Sequence, residues 1–362
     1  LSSSSAASDV YKRQIHYGMR PDVSKPWAKE RYTAVKEVLG KIIDECKKRQ
    51  VDCLFISGDL FHKQPLNKDL KEINYLFAAI PHTRVIIIAG NRDKITENSN
   101  IYDFPWAENV YYITSNEMQG IYFADINTEV FGFSYHSKEL KDRLLDGIVA
   151  PSSNRIHILM AHGGDSLHLP FDKEDLVNSG FSYIALGHSH KSEVFDSNIM
   201  AYCGSPEPLD VNESGAHGIF YGEISEFTRK VSRLDFIPIA DIEYIPLVIN
   251  VNKTTSNSEL ITCISDEIVK RGTKHIYKLT ILGVRDPYID FDLDSLHEKF
   301  RIAKIIDDSE PMYDFAKLFS EHSNDMIGFF IKELNRENIS KLDKKALNYG
   351  VSALLKTMYK GV

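Results

Sequence analysis

From Ile15 onward, short apolar runs alternate with amphipathic stretches, the pattern of a layered α/β fold. Val35, Val38, Leu39, Ile42, Ile43 and Cys46 recur near helical spacing and predict a helix over about residues 26–49. The run 51–57 (VDCLFIS) reads as a strand, 68–80 as a helix and 84–89 (RVIIIA) as a second buried strand. Alternating short strands are expected at 110–114, 120–125 and 129–135, and further strands at 156–161, 183–186, 193–195 and 217–224. The pattern changes near Phe236-Ile-Pro-Ile. Beyond it come a strand at 242–251, a helix at 257–271, a strand at 275–282, a helix at 293–300 and two further helices. The chain therefore divides at about 235–240 into domains spanning 15–236 and 237–362.

The first fourteen residues do not share this pattern. A Ser/Ala string is followed by Asp9-Val-Tyr-Lys-Arg-Gln14, with neither an apolar period nor the apolar core of a secretory signal. Residues 1–14 are expected to be a disordered or artefactual segment. The length of 362 residues agrees with about two domains. Hydrophobic residues at 43% and charged ones at 26% argue against wholesale disorder. No apolar run approaches the ~20 residues of a membrane span, so no membrane partner is expected. The four cysteines (Cys46, Cys53, Cys203, Cys263) lack C-x-x-C spacing, which favours a reduced, cytoplasmic setting over a disulfide scaffold. A net charge of −8 excludes a wholly basic nucleic-acid binder but leaves room for a local basic surface.

The polar residues capable of chemistry sit directly after apolar strands. Gly58-Asp59 follows CLFIS, Gly90-Asn91-Arg92-Asp93 follows VIIIA, His162-Gly-Gly follows ILMA and Gly187-His188-Ser-His190 follows YIAL. Loops at the carboxyl ends of strands converge on one crevice in such sheets. Each motif alone is commonplace: Gly-Asp and Gly-Asn-Arg-Asp are ordinary turn sequences, and His162 alone would pass for a core histidine. Taken in order, they offer the nitrogen and oxygen donors that divalent transition metals prefer. A carboxylate such as Asp59 can bridge two ions ~3.5–4 Å apart, the separation used in two-metal phosphoester hydrolysis. Thiolates are absent from the set, which disfavours a structural zinc site.

This series resembles the calcineurin-like metallophosphoesterases, whose pattern is D-x-H, G-D, G-N-H-D, H and G-H-x-H. More narrowly it is similar to the SbcD-type DNA repair exonucleases, including their YhaO-like branch, through Gly58-Asp-Leu-Phe-His62 and Gly204-Ser-Pro-Glu-Pro-Leu209. The resemblance covers Ile15 to about Phe236 and continues more loosely beyond. It implies a four-layer β-sandwich flanked by helices, with a small α+β capping domain at the C-terminus. It also implies two divalent cations, manganese the expected ion, bridged by Asp59. Asn91, His162 and His188 would complete one site, and His16 and His190 would serve the other. His62 would lie near the DNA backbone, or else be a surface-loop histidine. The implied partners are DNA and an SbcC-like coiled-coil ATPase, with a homodimer possible.

Two positions depart from the family pattern. Gln14 stands where D-x-H has its aspartate, so weak occupancy of the first cation site and impaired hydrolysis are expected in this chain. Arg92 replaces the histidine of G-N-H-D. A guanidinium does not give up its proton near pH 7 but can clamp phosphate oxygens. Arg92 is therefore assigned electrostatic stabilisation, the alternative being a turn pairing with Asp93.

The 341–362 segment carries Leu347, Val351, Leu354, Leu355 and Met358 at helical spacing beside five lysines. It reads either as core packing or as a docking helix for the ATPase or DNA. Tyr102, Phe104, Trp106, Tyr111 and Tyr112 read as packing, with base stacking the alternative. The expected function is that of a metal-dependent DNA exonuclease subunit of a repair complex. Two alternatives stand beside it: a metallophosphoesterase acting on a small nucleotide phosphodiester, and a catalytically weakened scaffold that binds DNA ends and the ATPase.

Overall fold

The computed structural model describes residues 10–11, 15–195, 198–335 and 339–359, and the chain divides into two compact units at Glu243/Tyr244. The first unit contains β1 (Val10–Tyr11), α1 (Ala28–Arg49), β2 (Cys53–Ser57), α2 (Asn67–Ala78), β3 (Arg84–Ile88) and β4 (Val110–Ile113). It continues through β5 (Gln119–Phe123), β6 (Thr128–Gly132), β7 (Ile156–His162), α3 (Lys173–Val177) and β8 (Tyr183–Gly187). It closes with β9 (Glu193–Phe195), β10 (Met200–Tyr202), β11 (Gly218–Ile224) and β12 (Val231–Pro238).

Two six-stranded sheets result, ordered β12-β11-β1-β2-β3-β4 and β5-β6-β7-β8-β10-β9. Their central strands are buried on both faces, so their sequences are near-continuous apolar runs whose alternate residues enter different cores. Cys53, Phe55, Ile86 and Ile88 meet Ile156, Ile158, Met160 and Tyr183 between the sheets. Leu54, Ile56, Val85 and Ile87 face the other way, towards Val38, Leu39, Ile42 and Ile43 of α1 and Leu70, Ile73 and Phe77 of α2. Leu159, Ala161, Ile184 and Leu186 pack outward on Leu176 of α3 and on Leu145 and Phe181. The order helices, sheet, sheet, helix is the mixed α/β sandwich expected from the sequence.

Five strands were not foreseen in the sequence: β1, β10, β12 and, in the second unit, Ile302–Asp307 and Glu310–Pro311, where only helices were expected. Val10–Tyr11 pairs parallel with β2 and antiparallel with β11, so the reading of 1–14 as wholly outside the fold does not hold at these two residues. The stretch around Phe236 belongs to β12, whose register with β11 runs from Gly218↔Pro238 to Ile224↔Val231. The pattern change there marks the edge of a sheet, and the division between units comes a few residues later.

In the second unit, β13 (Tyr244–Val251), β14 (Ile276–Arg285) and β15 (Ile302–Asp307) lie parallel, and β16 (Glu310–Pro311) also pairs with β14. Parallel pairing demands a crossover. Between β13 and β14 this is α4 (Asn257–Arg271), started by Ser256, whose hydroxyl accepts the Glu259 N–H while the Glu259 carboxylate accepts from Ser256. The shorter α5 (Asp294–Lys299) precedes β15. A separate apolar cluster joins α6 (Phe315–Glu321), α7 (Met326–Leu334) and α8 (Lys341–Tyr359) through Leu318, Ile327, Ile331, Leu347, Val351 and Leu355. Met358, counted in the apolar stripe of the sequence, is 52% exposed. Among the described residues, no helix is long and apolar enough to cross a membrane.

Candidate metal centre

The ends of β2, β3, β7 and β8 bring the sequence-predicted side chains to one sheet edge. Three site residues adopt the left-handed backbone conformation that non-glycine residues avoid: His16 (φ 49°), Asp59 (φ 52°) and His188 (φ 93°). Each aims its side chain inward from a sharp turn. Neighbouring glycines make the approach possible, since a Cβ on Gly58 or Gly90 would collide with the His162 ring.

Asp59 is 2% exposed and lies at the middle of the group. Its Oδ2 lies 3.5 Å from His162 Nε2 and 3.8 Å from His16 Nε2, and its Oδ1 accepts the Arg92 backbone N–H at 2.9 Å. Burial disfavours the carboxylate, but the His162 and His16 rings and the Arg92 N–H outweigh it and hold its carboxyl below the ordinary range. His162 Nδ1 donates to the Ser57 carbonyl at 2.9 Å, which leaves the Nε2 lone pair facing Asp59 and, at 3.0 Å, Asn91 Oδ1. His16 and His190 bring their Nε2 atoms to 3.0 Å of one another. His188 Nε2 is instead engaged by Asp165 Oδ2 at 2.6 Å.

Five of the six proposed donors, His16, Asn91, His162, His188 and His190, therefore gather around the sixth, the buried carboxylate of Asp59. Two uncommitted ring nitrogens within hydrogen-bond reach of each other, beside that carboxylate, form a donor set that suits divalent cations. The residues present fit the pair of ions. Gln14 lies outside the described residues.

His62 faces the cluster, its ring 5.8 Å from that of His16, and burial and then Arg92 lower its pKa. It is half-buried at the rim and not a free surface histidine. The Arg92 side chain is exposed, and among the described residues no ion pair joins it to Asp93. Asp93 is fully buried and accepts the N–H groups of Asp59, Phe61 and Gly90 at 3.2, 3.1 and 2.7 Å. It thereby splints the two metal-facing loops together. Burial and the neighbouring Asp59 push its pKa up to about 7.

Sequence reasoning noted Asp93 only as a turn partner, and it passed over Asp165, His168 and Glu213. Glu213 Oε1 lies 2.6 Å from His190 Nδ1, and His168 Nδ1 lies 3.0 Å from Asp165. The Ser-Pro-Glu-Pro segment contributes a further buried pair. Arg31 of α1 reaches Glu207 at 2.9 Å and also donates to the Pro208 carbonyl. Of the aromatic cluster, Phe104, Trp106 and Tyr112 pack on the helix-side core and Tyr111 on Phe123, leaving only Tyr102 substantially exposed.

The buried histidines make the cation-free protein acid-sensitive. Burial pushes the His16 pKa down to about 3, and burial also lowers those of His162 and His188. A histidine in the unfolded chain takes a proton near pH 6.5, whereas folded His16 does not until about 3. Between these values the unfolded state binds more protons, so stability present above pH 6.5 drains away as the pH falls towards 3. Asp93 and Glu207, whose pKa values burial raises, act in the opposite sense but are two groups against several. Denaturant unfolding of chelator-treated protein should show about 2 kcal/mol lost between pH 7 and 5 on account of His16 alone, a share missing in His16→Asn.

A sandwich edge carrying histidine and asparagine donors around one buried carboxylate is a donor set of the kind that two-cation phosphoester chemistry requires. Residues 8–192 match the calcineurin-like phosphoesterase family, and the chain belongs to that family. It is 25% identical over 267 residues to the uncharacterized metallophosphoesterase YhaO of Bacillus subtilis, a match covering 68% of this chain and 64% of that protein. It is 26% identical over 356 residues to the DNA double-strand break repair protein Mre11 of Methanocaldococcus jannaschii, covering 91% of this chain and 90% of that one. The Mre11 of Sulfurisphaera tokodaii is 29% identical over 194 residues, with 49% of each chain covered. The chain thus spans just under two thirds of YhaO but nine tenths of the Methanocaldococcus protein.

Proposed function

We propose that this chain is the nuclease subunit of a cytoplasmic DNA-repair complex: an SbcD-type, manganese-dependent exonuclease that hydrolyses phosphodiester bonds and works with an SbcC-like coiled-coil ATPase. The observation that carries this reading is the convergence of His16, Asp59, Asn91, His162, His188 and His190 at one sheet edge. Support for DNA as substrate comes from the match to a double-strand break repair protein over nearly the whole chain, second unit included.

Bound divalent cations would supply charge neutralisation and an activated water for in-line attack on phosphorus. The protein's own groups do the rest. Asp59 presents Oδ2 to the histidines while Oδ1 holds the Arg92 N–H, Asn91 and the four histidines fix the outline of the centre, and buried Asp93 holds the loops in place. Arg92, exposed at the rim, would clamp a non-bridging phosphate oxygen. His62 stands beside it, facing the path of the DNA backbone. With Gln14 in the position of an acidic ligand, hydrolysis by this chain is expected to be slow.

A second reading, hydrolysis of a small nucleotide phosphodiester, draws on one observation. A polar cavity of about 630 Å³ opens beside His190, lined among others by Lys191, Ser192, Asn212 and Ser214. Cleavage of linear duplex DNA and of a chromogenic phosphodiester with manganese, by this chain and by Gln14→Asp, separates the readings. Faster DNA cleavage in Gln14→Asp, by about tenfold or more, is the expected result. Turnover of the small ester alone would favour the second reading. No gain on either substrate would leave a DNA-end-binding scaffold.

A further inference from the structure

The two histidines of Gly187-His188-Ser189-His190 are held through opposite ring nitrogens. His190 has its Nδ1 2.6 Å from Glu213 Oε1, and its Nε2 faces His16. His188 has its Nε2 2.6 Å from Asp165 Oδ2, so Nδ1 is the nitrogen it retains for a ligand. A carboxylate only accepts, so the ring nitrogen bound to it carries the proton.

Neither carboxylate belongs to the donor set, and both are themselves fixed. Glu213 Oε2 accepts the Leu209 N–H at 2.8 Å and the Ser205 hydroxyl at 3.1 Å, and Ser205 also meets buried His217 at 3.1 Å. This anchors Glu213 in the Ser-Pro-Glu-Pro loop that Arg31 pins to α1. Asp165 Oδ1 accepts the N–H groups of Leu167 and His168 at 2.8 and 2.9 Å, and its carboxylate also meets the His168 ring.

We infer that Glu213 and Asp165 are positioning residues that impose opposite tautomers on adjacent metal-facing histidines, Nδ1–H on His190 and Nε2–H on His188. Each histidine then offers a different nitrogen to a different cation. Two imidazoles only two residues apart can in this way serve neighbouring sites from one loop without competing for one ion. The carboxylates also raise the basicity of the nitrogens they leave free, as carboxylate–histidine pairs do at metal sites. This inference rests on the metal-centre reading for its consequence, but its tautomer component does not.

Two measurements test it. In the cation-free protein labelled with ¹⁵N-histidine, long-range ¹H–¹⁵N spectra at pH 8 should show His190 as the Nδ1–H form and His188 as the Nε2–H form. Glu213→Gln, which preserves size and can still accept at Nδ1, should keep the His190 form. Glu213→Ala should release it to a mixture, and Asp165→Ala should do the same for His188 alone. On the Gln14→Asp background, calorimetric titration with manganese should then show one of two binding steps weakened about 10–100-fold in each alanine variant. Glu213→Ala should affect the step shared with His16, and Asp165→Ala the step shared with His162. Identical tautomers for both histidines in the parent protein, or tautomers unmoved by the alanine substitutions, would overturn the inference. Parent protein that binds no manganese while showing the two tautomers would overturn the metal-centre reading and leave the positioning intact.

Discussion

Asp59→Asn is expected to reduce phosphodiester hydrolysis at least about a thousandfold and to abolish tight manganese binding. The substitution keeps the side chain's shape. An amide oxygen at the Oδ1 position can still accept the Arg92 N–H, so the turn at Gly58-Asp59 survives. What is lost is the charge that His16 and His162 face at 3.8 and 3.5 Å. No neighbouring group replaces it, because Asp93 is spent on three backbone N–H groups. Calorimetric titration with manganese and hydrolysis assays on the Gln14→Asp background check this. A variant that retains its unfolding midpoint, binds two ions and still cuts would remove Asp59 from the centre of the site.

The largest stability effect is expected from Arg31→Met. Both side chains of the Arg31–Glu207 pair are wholly inaccessible, so removing one partner strands the other's charge in the interior. Such losses run to about 3–5 kcal/mol. Burial already raises the Glu207 pKa despite Arg31, and the substitution should raise it further. The sign follows: a carboxyl that holds its proton more tightly when folded contributes stability as the pH falls towards its unfolded value near 4.5. The defect in Arg31→Met should therefore shrink between pH 7 and 5. Replacing both residues, as Arg31→Met with Glu207→Leu, should recover most of the loss. Equilibrium denaturation across that pH range measures both effects, and equal stability of Arg31→Met and the parent would contradict the account.

The apolar runs made the sandwich legible because strands buried on both faces leave little else in their sequence. The helices α1 and α2 could be read from their spacing. Short or mixed elements were not legible: α3 has five residues, β10 three, and β12 alternates Ser, Arg and Asp with its apolar positions at a sheet edge. Asp59, Asn91, His162, His188 and His190 were legible because they follow strands, where the chain must turn; His16 follows no apolar run and came from the family pattern alone. Its supports were not. Asp165, Glu213 and Glu207 lie in loops without periodicity, and their partners are 23 to 176 residues away. Their roles depend on which atoms face which, and spacing along a chain carries no such information.

The position of β1 bears on how the molecule is made. Val10 pairs with Cys53 on one side and with Gly222 on the other, so β1 is an interior plank of the first sheet. That sheet cannot close while the ribosome is still producing the intervening two hundred residues. The second sheet is drawn from a contiguous stretch and can condense earlier. Nascent chains halted before residue 218 should expose the edge of β1 that later pairs antiparallel with β11, a seam open to intermolecular pairing until the late hairpin arrives.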